Sequence, residues 1–211
     1  MVTLLCASLG TVLLALGATG NDGLPRPPDV TTESETRPPN PPSDSEHVAP
    51  LPDSAPVALS ISAIDLHTTH LVELGLTPDH RLEAPRDWQA VGWYTQGPSP
   101  GQTGPAIMAG HLDSETGPAV FHRLEELRPQ DTITIERADD TVARFTVYAV
   151  EQHSKGNFPT NEVYGDTDRP ELRLITCGGD FNPGTRHYTD NVIVYARITA
   201  TVDRPEPPES P

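Results

Sequence analysis

Residues 171–180 read ELRLITCGGD, and Cys177 within them is the one cysteine of the chain besides Cys6. Leu172, Leu174 and Thr176 alternate with Arg173, Ile175 and Cys177, so the thiol shares a strand face with Ile175 at a rim rather than deep in a core. Glycines 178 and 179 end the run and let a substrate backbone approach the sulfur closely. A thiol in this position is either buried and inert or kept for its reactivity.

To ionise near neutral pH a thiol needs a base, and the usual one is a histidine distant in sequence. His47 lies in a proline-rich stretch, and His67, His70 and His80 have polar neighbours without a strand end. His111, in AIMAGHLDS, ends an apolar run directly after a glycine. A single histidine is ordinarily a solvated bystander, and His111 stands out by that context. A third polar group should hold the substrate or the oxyanion. Arg186, in NPGTRHYTD, follows Cys177 by nine residues on a loop that must return beside the thiol if its flanking strands pair. Loop arginines are mostly surface charges, so this assignment rests on the combination. His187 is the alternative base.

The elements that would carry these groups are mainly β. VALSISAIDL (57–66) alternates, AIMAGHL (106–112) is a short apolar run, and DTITIERADDTVARFTVYAV (131–150) reads as a hairpin around Ala138, Asp139 and Asp140. ELRLITC (171–177) and NVIVYARITA (191–200) complete the strands. GPAVFHRLEEL (117–127) has helical spacing at Val120, Leu124 and Leu127, and a second short helix is expected near 161–164. Many short strands separated by turn signals predict a sandwich or barrel.

Composition sets the limits. A chain of 211 residues holds one ordinary domain with appendages. The formal charge of −16, with no cluster of basic residues, excludes nucleic acid as a partner. Lysine occurs once, as Lys155, against thirteen arginines. Residues 1–20 hold an uncharged apolar run from Val2 to Ala18, just long enough at about 1.5 Å per residue to cross a thin bilayer as a helix, or to serve as a secretion signal. Residues 21–56 carry ten prolines and seven acids and read as a solvated spacer, and 203–211 has the same character. The folded domain is expected over 57–202. If the chain is exported, its cysteines would ordinarily pair. With Cys6 in the apolar run, Cys177 has no partner in its own domain.

AGH, then a strand ending in ITC, then an arginine on the next loop before NVIVYA, resembles the sortases. ITCGGDFN followed by TRHYTDNVIVYA is similar to the class F sortases of actinobacteria, over about Val57 to Ile198. The resemblance implies an eight-stranded β-barrel with one or two short helices, preceded by a membrane segment and a disordered linker. It implies a cysteine transpeptidase in which Cys177 is the nucleophile, His111 the acid/base, Arg186 the oxyanion or substrate-positioning donor, and Thr176 a residue lining the groove. The expected substrate is an LPXTG-like sorting signal cut between Thr and Gly, held by the region 152–170. The acyl product would pass to an amine of a cell-wall precursor. The domain would stand outside a single-pass membrane anchor. No cofactor is implied, and the acids Glu125, Glu126 and Asp131 match no calcium loop, so no metal is expected.

The thiolate and imidazolium that such a reaction requires are the reverse of what unperturbed groups, at about 8.5 and 6.5, favour. That predicts a minor active fraction and slow turnover unless the site draws the two together. Among rivals, a papain-like peptidase places its cysteine before its histidine, and an L,D-transpeptidase has a Ser/Thr-His-Gly run before its cysteine, absent from ITCGG. A peptidase that only hydrolyses the signal, and a tethered binding module without activity, stay open.

Overall fold

Alternation with a period of two, rather than helical spacing, dominates the apolar pattern, and the chain forms strands accordingly. The computed structural model describes residues 48–203. In chain order its strands are β1 (Pro56–Ile61), β2 (Leu66–Thr68), β3 (Leu71–Leu74), β4 (Val91–Tyr94), β5 (Gly104–Gly110), β6 (Asp113–Ser114), β7 (Gly117–Pro118), β8 (Thr132–Arg137), β9 (Thr141–Ser154), β10 (Pro170–Asn182) and β11 (His187–Asp203). One short helix, α1 (Thr160–Tyr164), precedes β10, close to the expected second helix. The membrane segment, most of the spacer and the tail lie outside the described residues. No helix among the described residues is long and apolar enough to cross a membrane.

Nine strands form one sheet in the order β2-β1-β8-β9-β11-β10-β5-β4-β3, and β6 and β7 form a separate hairpin. The two edges, β2 and β3, are separated by only Thr69 and His70, so the sheet must curl until its ends nearly meet. One face of the curl fills the interior: Leu59, Ile61, Met108, Ile133, Ile135, Phe145, Leu172, Leu174 and Val194 all join one buried cluster. The result is a nearly closed barrel, with nine strands in place of the expected eight. Two of the nine, β3 and β4, come from runs not read as strands in the sequence; they are four residues each and pair in parallel.

A second cluster covers part of the outside, where Ile107, Ala109, Ile175, Ile193 and Tyr195 meet Val163 of α1. Beneath it lies a buried polar group. Arg173 Nη2 donates to Glu171 Oε2 at 2.6 Å, Tyr148 donates its hydroxyl to the same oxygen at 2.8 Å, and the guanidinium stands 4.7 Å from the Tyr195 ring centroid. Burial, foremost, drives the Tyr148 hydroxyl far above the ordinary phenol range.

Residues 117–127 are not the helix their spacing predicts. Gly117 and Pro118 belong to β7, and the backbone bonds that follow run three residues back: Leu124 to Phe121, Glu126 to Arg123, Leu127 to Leu124. Val120, Phe121, Leu124 and Leu127 still face the core, so the apolar spacing is real. Turns three residues long, ending in the 3-10 segment Leu124–Glu126, meet it as well as an α-helix would. The amides that would open a helix are instead engaged at β5's end, Phe121 N donating to His111 O at 2.9 Å and Ala119 N to Leu112 O at 3.2 Å.

The ordered contacts begin ahead of Val57. Leu51 packs on the core and its amide donates to Gly101 O at 2.8 Å, while Ala138 N donates to Ala55 O at 2.9 Å. Arg137, wholly buried, donates through its two terminal nitrogens to Pro100 O at 2.7 Å, Pro52 O and Asp139 Oδ2 at 3.1 Å. Burial opposes the Asp139 charge, yet hydrogen bonds from Thr141 and Arg137 outweigh it and hold the carboxyl at about 2. Starting the chain at Val57 removes Pro52's carbonyl from a buried guanidinium. Relative to a chain starting at Val48, it should lose on the order of 3 kcal/mol and ~10 °C in Tm. Thermal denaturation of the two truncations checks this, and equal midpoints would refute it.

Candidate active site

β5 and β10 are neighbours and run parallel, so their C-terminal ends emerge at the same edge of the barrel. The last paired residues are Ala109 and Ile175. Two residues further on each strand, on the face those two share, stand His111 and Cys177. Two sequence-distant runs therefore deliver an imidazole and a thiol to one place, a strand spacing of about 4.8 Å apart in backbone. Both line a cleft of about 700 Å³ on the barrel's outer side, which Arg186 and Thr176 also border.

His111 is held from three sides. Its Nε2–H donates to the Pro85 carbonyl at 2.7 Å, so the other ring nitrogen, Nδ1, is left to exchange a proton with the cleft. The Trp88 ring stands 4.4 Å away, tilted by 59°. Behind it, Gly110 admits the 119–121 segment, because a Cβ there would meet Phe121 Cδ2 at 2.7 Å and Val120 Cγ1 at 2.8 Å. Other histidines are occupied elsewhere: His67 Nδ1 is 2.9 Å from Ser60 Oγ, and His122 donates to Ala119 O at 2.8 Å.

The glycines after the thiol have a structural reason that the sequence reading did not anticipate. Gly179 takes φ +75°, and a Cβ on it would lie 2.5 Å from Thr189 Oγ1 and 2.6 Å from the Asp190 carboxylate. They shape the bulge in the β10–β11 pairing between Gly178 and Phe181.

Beyond that bulge the hairpin turns, and Arg186 sits in the left-handed region at φ +58°, its amide bonded to Asn182 O at 2.7 Å. Its guanidinium, 74% exposed, reaches across to Glu115 Oε1 at 2.8 Å. Tyr188 donates its hydroxyl to Asp113. That hydrogen bond, then burial, the Asp113 charge and Cys177 nearby push the Tyr188 hydroxyl up to about 12, so it stays a neutral donor. Two contacts thus staple the β6–β7 hairpin to the β10–β11 turn and make one wall of the cleft. His187, the alternative base, opposes Asn182 within the hairpin, beyond the bulge from the thiol.

The sequence over residues 59–199 matches the sortase domain family model. This chain belongs to the sortase family. Solved structures agree in fold. The SrtA sortase of Actinomyces oris is 23% identical, with a TM-score of 0.53 over 80% of this chain and 92% of that one. Sortase A of Listeria monocytogenes is 15% identical, TM-score 0.51, over 72% and 91%. Sortase C of Streptococcus pneumoniae is 16% identical, TM-score 0.53, over 71% and 68%. No curated protein matches the sequence.

In this sortase Thr176 belongs to the face opposite Cys177's. It opposes Val192 and alternates with Leu172 and Leu174, and its hydroxyl is buried without a hydrogen-bond partner. Three cleft residues were not singled out from the sequence. Asn191 opposes Cys177 across the ladder, is wholly buried, and leaves both amide atoms unpartnered. Trp88 comes from the long connection before β4. Lys155, in the 3-10 turn Lys155–Asn157 after β9, points its Nζ at Cys177 Sγ from 3.8 Å. The sequence signal for Asn191 was its place at the head of NVIVYA, and for Lys155 its singularity.

The expected signal-holding region, 152–170, contains that turn and α1. Two of the three acids weighed against a calcium loop have protein partners: Glu126 Oε2 takes Arg123 at 2.9 Å, and Asp131 takes the Arg128 amide at 2.7 Å.

Proposed function

We propose that this sortase is a cysteine transpeptidase of the class F type. It cuts an LPXTG-like sorting signal between Thr and Gly and passes the acyl end to an amine of a cell-wall precursor. The motif ITCGGDFN with TRHYTDNVIVYA supports the class, and the apolar run in residues 1–20 supports a single-pass anchor with the domain outside the membrane. One observation carries the chemistry: the parallel ends of β5 and β10 bring His111 and Cys177 to one cleft.

The Cys177 thiolate attacks the Thr carbonyl, forming the C–S bond. As the tetrahedral adduct collapses, the C–N bond breaks and protonated His111 gives its proton to the departing glycine amine. A thioester remains. An incoming amine attacks it, His111 takes the proton, and the new amide leaves as the thiolate is expelled. Arg186, exchanging Glu115 for substrate, holds the signal's carbonyl at the mouth. Thr176 supports the groove floor from below.

A peptide carrying an LPXTG-type signal, labelled at its N-terminal side, tests this with and without an added amine. Cleavage between Thr and Gly, with an amine-adduct product, is expected. Cleavage yielding only the free acid would make the chain a hydrolase, and binding without cleavage would make it a recognition module.

A further inference from the structure

The family reading assigns the sulfur a base and a guanidinium, and a further cation stands against the sulfur as well. Lys155 Nζ is 3.8 Å from Cys177 Sγ. This position is set by the strand ladder. β9 pairs with β11 as far as Ser154 opposite Asp190, and Asp190 opposes Gly178 on β10. Lys155 follows Ser154 directly, so its backbone lies two strands from the thiol, about 9.6 Å at ordinary spacing, and a lysine stem covers most of that gap.

Three other charged groups near the sulfur have hydrogen bonds of their own. Arg186 is bound to Glu115, and the Asp113 carboxylate takes the Tyr188 hydroxyl. Asp190 takes the Gln152 amide at 2.6 Å; that bond foremost, the Thr189 hydroxyl next and the Lys155 charge hold its carboxyl below the ordinary range. His187, Arg81 and His111 line the same cleft.

We propose that Lys155 is the counter-ion of the Cys177 thiolate: its ammonium favours the ionised sulfur before substrate arrives and so enlarges the active fraction of the enzyme. The physical reason is that an opposite charge within about 4–6 Å favours a group's charged form. A thiol and an imidazole left to themselves favour the neutral pair. An ammonium at the sulfur corrects that bias without consuming the proton that His111 must deliver. The consequence for catalysis rests on Cys177 being the nucleophile; the ion pair itself does not.

The test is the pH dependence of iodoacetamide alkylation of the full chain, read from the mass of the peptide carrying Cys177 so that Cys6 does not contribute. Lys155→Met and Lys155→Arg are compared with wild type. With Met, the half-maximal pH should rise by about one unit and the rate at neutral pH fall about tenfold. With Arg, most of the wild-type profile should return. Superimposable wild-type and Met profiles would overturn the proposal. So would an Arg profile displaced as far as the Met one, since that makes the turn's packing and not its charge responsible. A wild-type thiol that alkylates only in the ordinary thiol range, near pH 8.5, would overturn it as well. Alkylation needs no sorting signal. A Met shift in a protein that cleaves no peptide therefore leaves the ion pair standing while the transpeptidase reading falls, and active protein without the shift does the converse.

Discussion

Cys177→Ala should abolish cleavage of an LPXTG-type peptide, by at least about four orders of magnitude in kcat/KM, as loss of a covalent nucleophile does elsewhere. The position makes this a clean experiment. Cys177 is only partly buried, on the barrel's outer face past Ile175, so losing one sulfur atom leaves no hole in the interior cluster. Stability should stay within about 0.5 kcal/mol of wild type. The variant should also still bind the labelled peptide, since the cleft walls built by Arg186–Glu115 and Tyr188–Asp113 do not depend on the sulfur. Thr176→Ala is the informative control. Its hydroxyl faces inward and is already unpartnered, so removing it relieves a buried polar group and should cost far less activity. Retained cleavage in Cys177→Ala, with the fold intact, would end the nucleophile assignment whatever the family membership.

What could be read before the structure, and what could not, divides along a physical line. The hairpin over 131–150 was legible because it carries its period of two over enough residues to exclude a helix, and the strands through ITC and NVIVYA because their short apolar runs are rich in β-branched residues and bounded by turn signals. β3 and β4 were not, since four residues such as VGWY give no period, and their pairing is parallel and non-local. The segment 117–127 shows the limit of spacing: 3-10 turns and an α-helix place Val120, Leu124 and Leu127 on similar faces, and only the hydrogen bonds distinguish them. For the site, residue types and strand ends led to Cys177, His111 and Arg186. The fact that unites the first two, a parallel β5–β10 pair, is a property of the sheet and left no mark on either run. Lys155 comes to the sulfur, and Asn191 to the position opposite Cys177, through the β9–β11–β10 ladder, which no local reading shows.

The same geometry predicts a selective failure in His111→Gln. Its Nε2–H is committed to the Pro85 carbonyl, so the ring serves the cleft through Nδ1, as a proton donor to the leaving amine and later an acceptor from the incoming one. Glutamine keeps polarity and much of the volume against Trp88 but carries no transferable proton. Cleavage of the amide should fall by about 10²–10⁴, the ordinary worth of a positioned acid or base. A substrate in which the scissile amide is replaced by a thioester separates this role from a structural one. Its leaving thiolate departs without being protonated, so acylation of Cys177 in His111→Gln should recover to within roughly tenfold of wild type with that substrate. Equal losses on amide and thioester would mean that His111 acts on the thiol or on the shape of the cleft, and the proton would have to come from another group, with His187 the next to test. Trp88→Ala should share the pattern at smaller size. The indole supplies no proton and only fixes the ring that does, so the loss on the amide should be about tenfold, with little on the thioester.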